Sequence, residues 1–231
     1  MSDQKQSERS NWIAIATRLR TPLIVSSIAI IGAIIASVAV FQIIESRNET
    51  ATRAIEQLED EVQELLFELA AEDLATSEQF AELSEQITGV LEDYAGTYAE
   101  QRGLWLAAAL NYEAGNYDDA QMSYTQLAER FPDSYLVAPA LASAAAAAEV
   151  AGDLEGAAQL LQRLADGEGA PSANQPQALF NLGRIAEQQG TPVVALGHYN
   201  RLVDEHPGSN WTNLGRNRIL WLTTQGASDA P

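Results

Sequence analysis

The sequence predicts an all-α protein: an N-terminal transmembrane helix, an α-helical hairpin, and an α-solenoid of further hairpins that ends in a C-terminal capping helix. Two observations carry this prediction. No charged residue lies between Leu23 and Ile44, a run of 22 residues that makes roughly 33 Å of helix, enough to span a bilayer. Three later segments each carry an apolar helical face interrupted by one glycine, at Gly115, Gly152 and Gly190. A glycine in this place is typical of a helix C-cap, so each is expected to join the two helices of a hairpin.

The composition limits the classes of function. The chain of 231 residues has 32 acidic and 13 basic side chains, and its formal net charge is −19. Phosphate backbones and anionic lipids attract clustered Lys and Arg, so this charge argues against nucleic-acid binding and against docking on an acidic lipid surface. The chain has no cysteine, which excludes disulfides, zinc–thiolate sites and thiol catalysis. The two histidines, His198 and His206, have no third ligand at metal spacing, and we predict no catalytic residue, metal or cofactor.

Residues 1–21 are predicted to form a polar cytoplasmic tail, and residues 22–44 the transmembrane anchor. Four basic residues precede the span, and the segment after it is rich in glutamate. Basic flanks stay in the cytoplasm, so we expect the C-terminal domain on the outer, periplasmic side of a bacterial inner membrane. The Ser37-Val38-Ala39 triplet has the small-x-small pattern of a signal-peptide cleavage site, which leaves a cleaved signal as the alternative. Apolar residues continue through Ile44, and this favours an uncleaved anchor.

Residues 45–95 are predicted to form a long helix and a helical hairpin. Apolar residues of the long helix recur at alternating steps of four and three. The members of this seam are Ala51, Ile55, Leu58, Val62, Leu65 and Leu69. Because the seam covers fewer than three heptads, we expect it to pack on the next helix rather than to form a coiled coil. That next helix is predicted to start at a Thr76/Ser77 cap and to run to Tyr94.

The predicted solenoid occupies residues 96–225. Its repeats are expected at about 101–134, 138–171 and 176–209, followed by a capping helix at about 210–224 and a disordered tail at 226–231. In the first repeat, Gly115 is followed by the apolar face of Ala120, Tyr124, Leu127, Ala128 and Phe131, and Pro132 ends the helix. This pattern resembles a tetratricopeptide repeat (TPR). The glycines are 37 and 38 residues apart, against about 34 for the family, so we expect longer loops here.

The layout also resembles a narrower family, the single-pass bacterial inner-membrane proteins with a periplasmic TPR-like domain. Its best-known member is an ancillary subunit of the Sec translocon that contacts periplasmic folding factors. The segment Tyr94-Ala95-Gly96-Thr97-Tyr98, which leads into the first repeat, carries part of this resemblance. The segments Phe131-Pro132-Asp133-Ser134 and His206-Pro207-Gly208-Ser209 also look like envelope proteins that coordinate outer-membrane assembly or cell division. The resemblance implies protein partners: translocon subunits, periplasmic chaperones or unfolded clients.

Three classes of function follow from these patterns. The favoured class is a membrane-anchored scaffold for protein–protein interactions, acting in protein translocation, periplasmic chaperoning or envelope assembly. The alternative is a structural linker or multimeriser that works through the anchor and the 51–69 helix. An enzyme is the third class, and no motif supports it. We expect the soluble domain to be monomeric, because intrachain stacking accounts for its apolar positions.

The TPR resemblance also implies where partners bind. Solenoids of this family hold ligands on the concave face formed by the first helix of each repeat. The corresponding residues are Arg102, Trp105, Ala109 and Tyr112 in the first repeat, Ala142, Ala146 and Glu149 in the second, and Phe180, Arg184 and Glu187 in the third. Such a groove would be apolar and aromatic with an acidic rim, and would suit an apolar helix or extended segment with some basic residues. Alternatively, Trp105 and Phe180 pack against neighbouring repeats and leave no groove.

Overall fold

The computed structural model describes residues 2–70, 77–168 and 173–226, and every regular element in these ranges is an α-helix. The predicted all-α class is therefore confirmed. The helices are α1 (Ser2–Ala70), α2 (Ser77–Asp93), α3 (Tyr98–Glu113), α4 (Tyr117–Arg130), α5 (Val137–Ala151), α6 (Leu154–Ala165), α7 (Gln175–Gln188), α8 (Pro192–Glu205) and α9 (Asn210–Thr224). The chain divides into two compact units, residues 1–50 and residues 51–231.

The first unit is the N-terminal part of α1. Its apolar side chains between Ile30 and Ile44 are exposed, for example Phe41 at 65% and Ile43 at 68%. By length and composition, this helix contains a candidate membrane span within Ile30–Phe67. The most apolar stretch of this range has a mean hydropathy of 1.7, and none of it is buried. The predicted tail and anchor are not separate elements, because one continuous helix runs from Ser2 to Ala70.

The second unit begins with the C-terminal part of α1, which packs on α2 and α3. Ala51, Ile55 and Val62 are at most 1% exposed, and Leu58 and Leu65 are 3% exposed. They form one cluster with the following residues: Leu83, Ile87 and Val90 of α2, and Ala99, Leu106 and Leu110 of α3. The predicted seam is therefore used inside the chain. The side chain of Leu69 and all of Thr76 lie outside the described residues.

The helices α3 to α8 form three successive hairpins. Each hairpin turns at one of the predicted glycines, which have φ angles of 79° at Gly115, 88° at Gly152 and 71° at Gly190. At each turn, the residue after the glycine donates its N–H to the carbonyl five residues earlier, at 2.8 to 2.9 Å. This is the Schellman geometry, in which a left-handed residue closes the helix end.

Small residues set the distance between the helices of a hairpin. Ala120, Ala157 and Ala195 lie at equivalent places in α4, α6 and α8, and each is completely buried. Leucines fill the layers between hairpins and form the main core cluster, which runs from α3 to α8. A single hairpin of this kind cannot bury its apolar face alone, so the stacked array is the folding unit.

The last helix, α9, lies at the residues predicted for the capping helix, but part of its outer face is apolar. It buries Leu222 and Gly215 against the array, but Leu214, Leu220 and Trp221 are 46%, 66% and 48% exposed. A terminal helix of a solenoid is expected to have a polar outer face. Intrachain stacking therefore does not account for every apolar position of the domain. Of the tail predicted to be disordered, residues 227–231 lie outside the described residues.

Candidate functional site

The predicted groove residues fall in register with the turn glycines. Tyr112, Glu149 and Glu187 lie three residues before their glycine, Ala109, Ala146 and Arg184 lie six before, and Trp105, Ala142 and Phe180 lie ten before. Because these steps follow the helical period, the residues of each helix share one face. We call the surface that they form on α3, α5 and α7 the first-helix face. Residues of α1 and α9 extend this surface at its two ends through the ion pairs described below.

An ion pair connects α5 to α7 on this face. The two terminal guanidinium nitrogens of Arg184 donate to the two carboxylate oxygens of Glu149, at 2.6 and 2.5 Å. Both side chains are about one-third exposed. Bidentate geometry makes this one of the stronger types of charged hydrogen bond. The predicted acidic rim residue Glu149 is therefore already occupied by a cation of the same chain.

A second ion pair connects α7 to α9. Glu187 accepts hydrogen bonds from Arg218, at 3.0 Å for Nε, and from the hydroxyl of Tyr199, at 2.6 Å. Burial raises the pKa of Glu187, but the hydrogen bonds from Arg218 and Tyr199 outweigh it and hold that pKa below its usual value. Burial and the bond to Glu187 both raise the pKa of Tyr199. Glu187 therefore stays ionised and fixes the last helix to the array.

A third ion pair connects α1 to α3, between Glu59 and Arg102. Sequence analysis included Arg102, Arg184 and Glu187 in the groove but missed Glu59 and Arg218, which neutralise two of them. When the ion-pair partner of a charged residue lies two helices further along the chain, nothing in the neighbouring sequence identifies that partner. The repeat register gives a partial signal, because it places Glu149 and Glu187 at corresponding points of two first helices, but Arg102 lies at a different point of its helix from Arg184.

The interval between α3 and α5 carries no such ion pair among the described residues. Tyr112 occupies the place that Glu149 and Glu187 have in the later helices, and Ala146 occupies the place of Arg184. Helix α5 has only one charged residue, Glu149, which pairs with α7. Aromatic contacts replace charge on α3. Trp105 meets Tyr124 edge-on with ring centroids 5.1 Å apart, and Tyr112 meets Tyr117 in the same way at 5.3 Å.

Two further tyrosines lie at the N-terminal end of this interval. Tyr98 of α3 is 50% exposed, and Tyr135, just before α5, is 68% exposed. Tyr135 and Arg102 both lie close enough to Tyr98 to influence its pKa. Partial burial raises the pKa of Tyr98. Aromatic residues thus extend along the whole of α3 on this face.

A pocket of about 200 Å³ opens between α5 and α7. It brings together four of the predicted residues, Ala142, Ala146, Glu149 and Arg184. Leucines of α6 contribute to its wall together with the carboxamides of α7 and its preceding turn; these residues are Leu161, Leu164, Asn174, Gln177 and Asn181. The pocket is therefore lined by apolar side chains and carboxamide groups, and the charges of Glu149 and Arg184 in its wall neutralise each other.

The remaining predicted residues lie outside this pocket. Phe180 is half-buried and packs on Tyr199 and Trp211, with ring centroids 5.6 and 5.3 Å away. Trp105 is also half-buried and packs against the main core cluster. The contact of Phe180 with α9 matches the alternative in which it packs on a neighbouring element. Trp105 instead contacts Tyr124 of its own hairpin.

Within the described ranges, no three His, Asp or Glu side chains converge as a metal-binding group. His198 is half-buried, and burial together with Arg201 lowers its pKa.

Comparison with known proteins supports the repeat register. Two family sequence models, both described as tetratricopeptide repeat, match residues 103–134 and residues 151–210. A TPR repeat-containing protein of Treponema pallidum (strain Nichols) is 29% identical over 135 residues, which are 58% of this chain and 54% of the relative. The chain therefore spans about half the length of that curated relative.

Solved structures show a similar fold. One is a tetratricopeptide repeat protein from Parabacteroides merdae (TM-score 0.52, 15% identity, 77% of this chain and 62% of that one). Another is a Podosopora anserina putative kinesin light chain with nearly identical TPR-like repeats (TM-score 0.54, 11% identity, 76% of this chain and 92% of that one). At these identities the likeness concerns the fold alone. The family matches and the three glycine-turned hairpins show tetratricopeptide repeats within residues 103–134 and 151–210, and such repeats point to a scaffold for protein–protein interaction.

Proposed function

We propose that this chain is a membrane-anchored scaffold that binds a protein segment on its first-helix face, on the outer side of a bacterial inner membrane. The observation that carries the proposal is the repeat array together with the candidate membrane helix on the same chain. Residues 22–44 would anchor it with the N-terminus in the cytoplasm. Protein translocation, periplasmic chaperoning and envelope assembly are the processes that the layout favours, and translocon subunits, chaperones or unfolded clients are the expected partners.

The charge distribution limits what the partner carries. From Arg102 onward, six of the seven arginines are in ion pairs with acidic residues of the chain. Arg216 is the exception in this part of the described chain. Acidic side chains far outnumber these arginines, so most of the exposed charge is negative. An acidic partner would meet repulsion, whereas a neutral or basic segment would not.

Multimerisation through the 51–69 helix is not favoured. Five of its six seam residues are buried against α2 and α3. To use the seam between chains would require α1 to leave this cluster, which would expose the apolar residues of both helices.

Co-purification tests the proposal. The full-length chain is extracted in mild detergent and its bound proteins are identified by mass spectrometry. The test variant is Ala142→Arg, whose side chain fills the pocket between α5 and α7. The control is Gln126→Arg, which adds the same charge at an exposed position of α4. We expect Ala142→Arg to reduce partner capture at least tenfold and the control to leave it unchanged.

Trp105→Ala provides a second variant. If Trp105 is an anchor, its loss weakens capture by about 1 kcal/mol or more, while circular dichroism shows intact helicity. Capture that is insensitive to both Ala142→Arg and Trp105→Ala would place the partner on the second helices or on the membrane helix, and would contradict the proposed use of the first-helix face.

A further inference from the structure

Two adjoining pockets lie between the C-terminal part of α1 and α2. One has a volume of about 340 Å³ and the other of about 350 Å³. Glu61 of α1 and Gln86 of α2 line both pockets, so the two form one groove, which we call the α1–α2 groove. None of its lining residues belongs to the first-helix face, and it is therefore a separate surface.

The α1–α2 groove follows the axes of both helices. Its lining residues recur at steps of three and four, from Ala54 to Leu65 on α1 and from Gln79 to Asp93 on α2. Residues at these steps share one face of a helix. With a rise of about 1.5 Å per residue, the groove extends over roughly 16 Å of α1 and roughly 21 Å of α2. It is therefore long enough for three to four turns of another helix.

Acidic side chains lie on both walls of the groove. Glu61 and Glu64 are on the α1 wall and Glu82 is on the α2 wall. No ion pair of the described residues involves any of the three; Glu61 only accepts a hydrogen bond from Gln57 of its own helix, at 3.1 Å. Like charges on facing walls repel each other, and a cation between them would relieve this repulsion.

The chain itself has few cations to offer to this groove. Positions 51–100 contain 14 acidic residues and one basic residue, Arg53, which lines neither pocket. Arg102 of α3 pairs with Glu59, outside the groove. In the repeat array, by contrast, arginines bond the acids of neighbouring helices, as Arg184 does with Glu149. The α1–α2 groove therefore has the acids of such an arrangement without the arginine.

Gly89 leaves an open space in the α2 wall. A Cβ placed on it would meet nothing within 4 Å among the described residues, so no contact within the chain requires a glycine there. A glycine inside a helix costs about 0.5–1 kcal/mol relative to alanine, and one of its uses is to let a ligand approach the backbone closely. The site therefore allows a partner to lie directly against α2.

The polar groups of the groove suit a helix better than an extended segment. Its walls present carboxylates, which only accept hydrogen bonds when ionised, and a few carboxamides. The backbone carbonyls of an extended segment would find few donors there, whereas a helix satisfies its backbone internally. Small apolar side chains of that helix would cover the floor, which is formed by Leu58, Leu83 and Val90, each at most 8% exposed.

We propose that the α1–α2 groove binds a basic helical segment of a partner protein, with Lys or Arg side chains between the acidic walls and the backbone close to Gly89. Charge complementarity identifies this occupant, because a neutral or acidic segment would leave the like charges of the two walls uncompensated. The segment would be about 14 residues long, to match the length of the α2 wall.

A blocked helical peptide of about 14 residues, made of alanine with lysines at steps of three and four on one face, is the probe. One control peptide has glutamate in place of each lysine, and a second keeps the lysines but has two alanines replaced by proline. Binding to the full-length chain in nonionic detergent is measured by isothermal titration calorimetry, with the heat of titration into detergent alone subtracted. We expect one basic peptide to bind per chain, and each control to bind at least tenfold more weakly.

Gly89→Leu is the steric test. The added side chain fills the open space of the α2 wall, and leucine is a better helix former than glycine. We therefore expect the affinity for the basic peptide to fall at least tenfold while the melting temperature stays the same or rises. The matched control is Gly197→Leu on α8, another exposed helical glycine with open surroundings, which should leave the affinity within twofold of the parent chain.

Glu64→Gln/Glu82→Gln is the charge test. It removes one carboxylate from each wall and should weaken binding of the basic peptide at least fivefold. Glu155→Gln/Asp204→Asn removes two exposed carboxylates of α6 and α8 and should change the affinity less than twofold. An equal effect of the two double variants would show only a general attraction of a basic peptide to an acidic chain, and would overturn the proposal.

Because the chain has no cysteine, single introduced thiols can locate the bound peptide. A basic peptide with one cysteine should form a disulfide with Gln86→Cys, in the groove, at least tenfold faster than with Gln126→Cys, on α4. Equal rates would place the peptide outside the groove and overturn the proposal. Absence of saturable binding, full affinity of Gly89→Leu, or equal binding of the proline-containing peptide would also overturn it.

Discussion

Gly183 shows how one missing side chain sets the packing of the third hairpin. A Cβ placed on Gly183 would lie 2.5 Å from Cζ of Tyr199, well inside van der Waals contact. The ring of Tyr199, which is completely buried, therefore lies directly on the backbone of α7. This close approach also brings the tyrosine hydroxyl to Glu187.

Gly183→Ala is expected to destabilise the fold. The added methyl group must displace the Tyr199 ring, and overpacking of this kind costs about 1–3 kcal/mol. The control is Gly197→Ala in α8, where an added Cβ meets nothing within 4 Å and should stabilise the helix by roughly 0.5–1 kcal/mol. Thermal unfolding followed by circular dichroism measures both, and equal melting temperatures for the two variants would contradict the packing.

The ion pair of Glu187 should make stability depend on pH. Its pKa in the folded chain lies below the reference value of 4.5, because the hydrogen bonds of Arg218 and Tyr199 outweigh burial. The folded state then binds fewer protons than the unfolded state, so the contribution is present above the unfolded pKa and is lost as pH falls through the folded pKa. The pKa values of Asp166 and Glu168 are lowered as well, mainly by hydrogen bonds from Gln162 and Arg163 respectively.

Glu187→Gln is expected to cost roughly 1.5–3 kcal/mol at pH 7, as for a hydrogen bond to a charged group. The difference in melting temperature between parent and variant should shrink as pH falls below about 4.5. Glu92→Gln, which removes one exposed carboxylate of α2, is the control for the general effect of net charge. A difference that stays constant between pH 7 and pH 3 would show that Glu187 gives no ionic stabilisation.

The residues that sequence analysis located best are those whose role is local. The turn glycines and Ala120, Ala157 and Ala195 lie where the repeat pattern placed them, since hairpin geometry allows only small or left-handed residues there. The partners of the charged residues could not be predicted. Glu59 and Arg102 are 43 residues apart, and Glu187 and Arg218 are 31 apart, so each pair depends on how separate helices stack.

The C-terminal part of α1 behaves as a first helix of the array. Its seam residues close the apolar faces of α2 and α3, and its Glu59 bonds the next first helix. The seam itself was predictable from its period, but its second contact, with α3, was not, because the pattern specifies an apolar face and not how many helices cover it.

The first residue of a soluble fragment should therefore decide whether the fragment is monomeric and how stable it is. The sequence predicts a monomeric soluble domain, but a fragment that begins at α2 lacks α1 and uncovers Ile87, Leu106 and Leu110. We expect a fragment of residues 51–226 to be monomeric in light scattering, and a fragment of residues 77–226 to melt at a lower temperature and to self-associate. A stable monomeric 77–226 fragment with an unchanged melting temperature would show that α1 contributes little to the fold.

The arrangement of the whole chain across a membrane can be tested by proteolysis. The proposal places residues 1–21 in the cytoplasm and the repeat array outside, on the basis of the basic N-terminal flank. Protease added to spheroplasts that produce the chain should remove the array and leave the N-terminal residues protected. An epitope tag at each end, followed by immunoblotting, reports both halves. Protection of the C-terminal tag in intact spheroplasts would reverse the orientation.

The exposed face of helix α9 offers a surface on which a further helical hairpin could pack. Its outward side chains Leu220 and Trp221 are exposed, and the helix itself has no acidic residue, in a chain where acids outnumber bases by more than two to one. Another hairpin joined after α9 would find an apolar surface without electrostatic repulsion. Gene duplication could therefore lengthen the protein one module at a time without rebuilding its core. Protein engineers could use the same end to append designed repeats, with the burial of Trp221, seen as a blue shift of its fluorescence, as the sign that a module has docked.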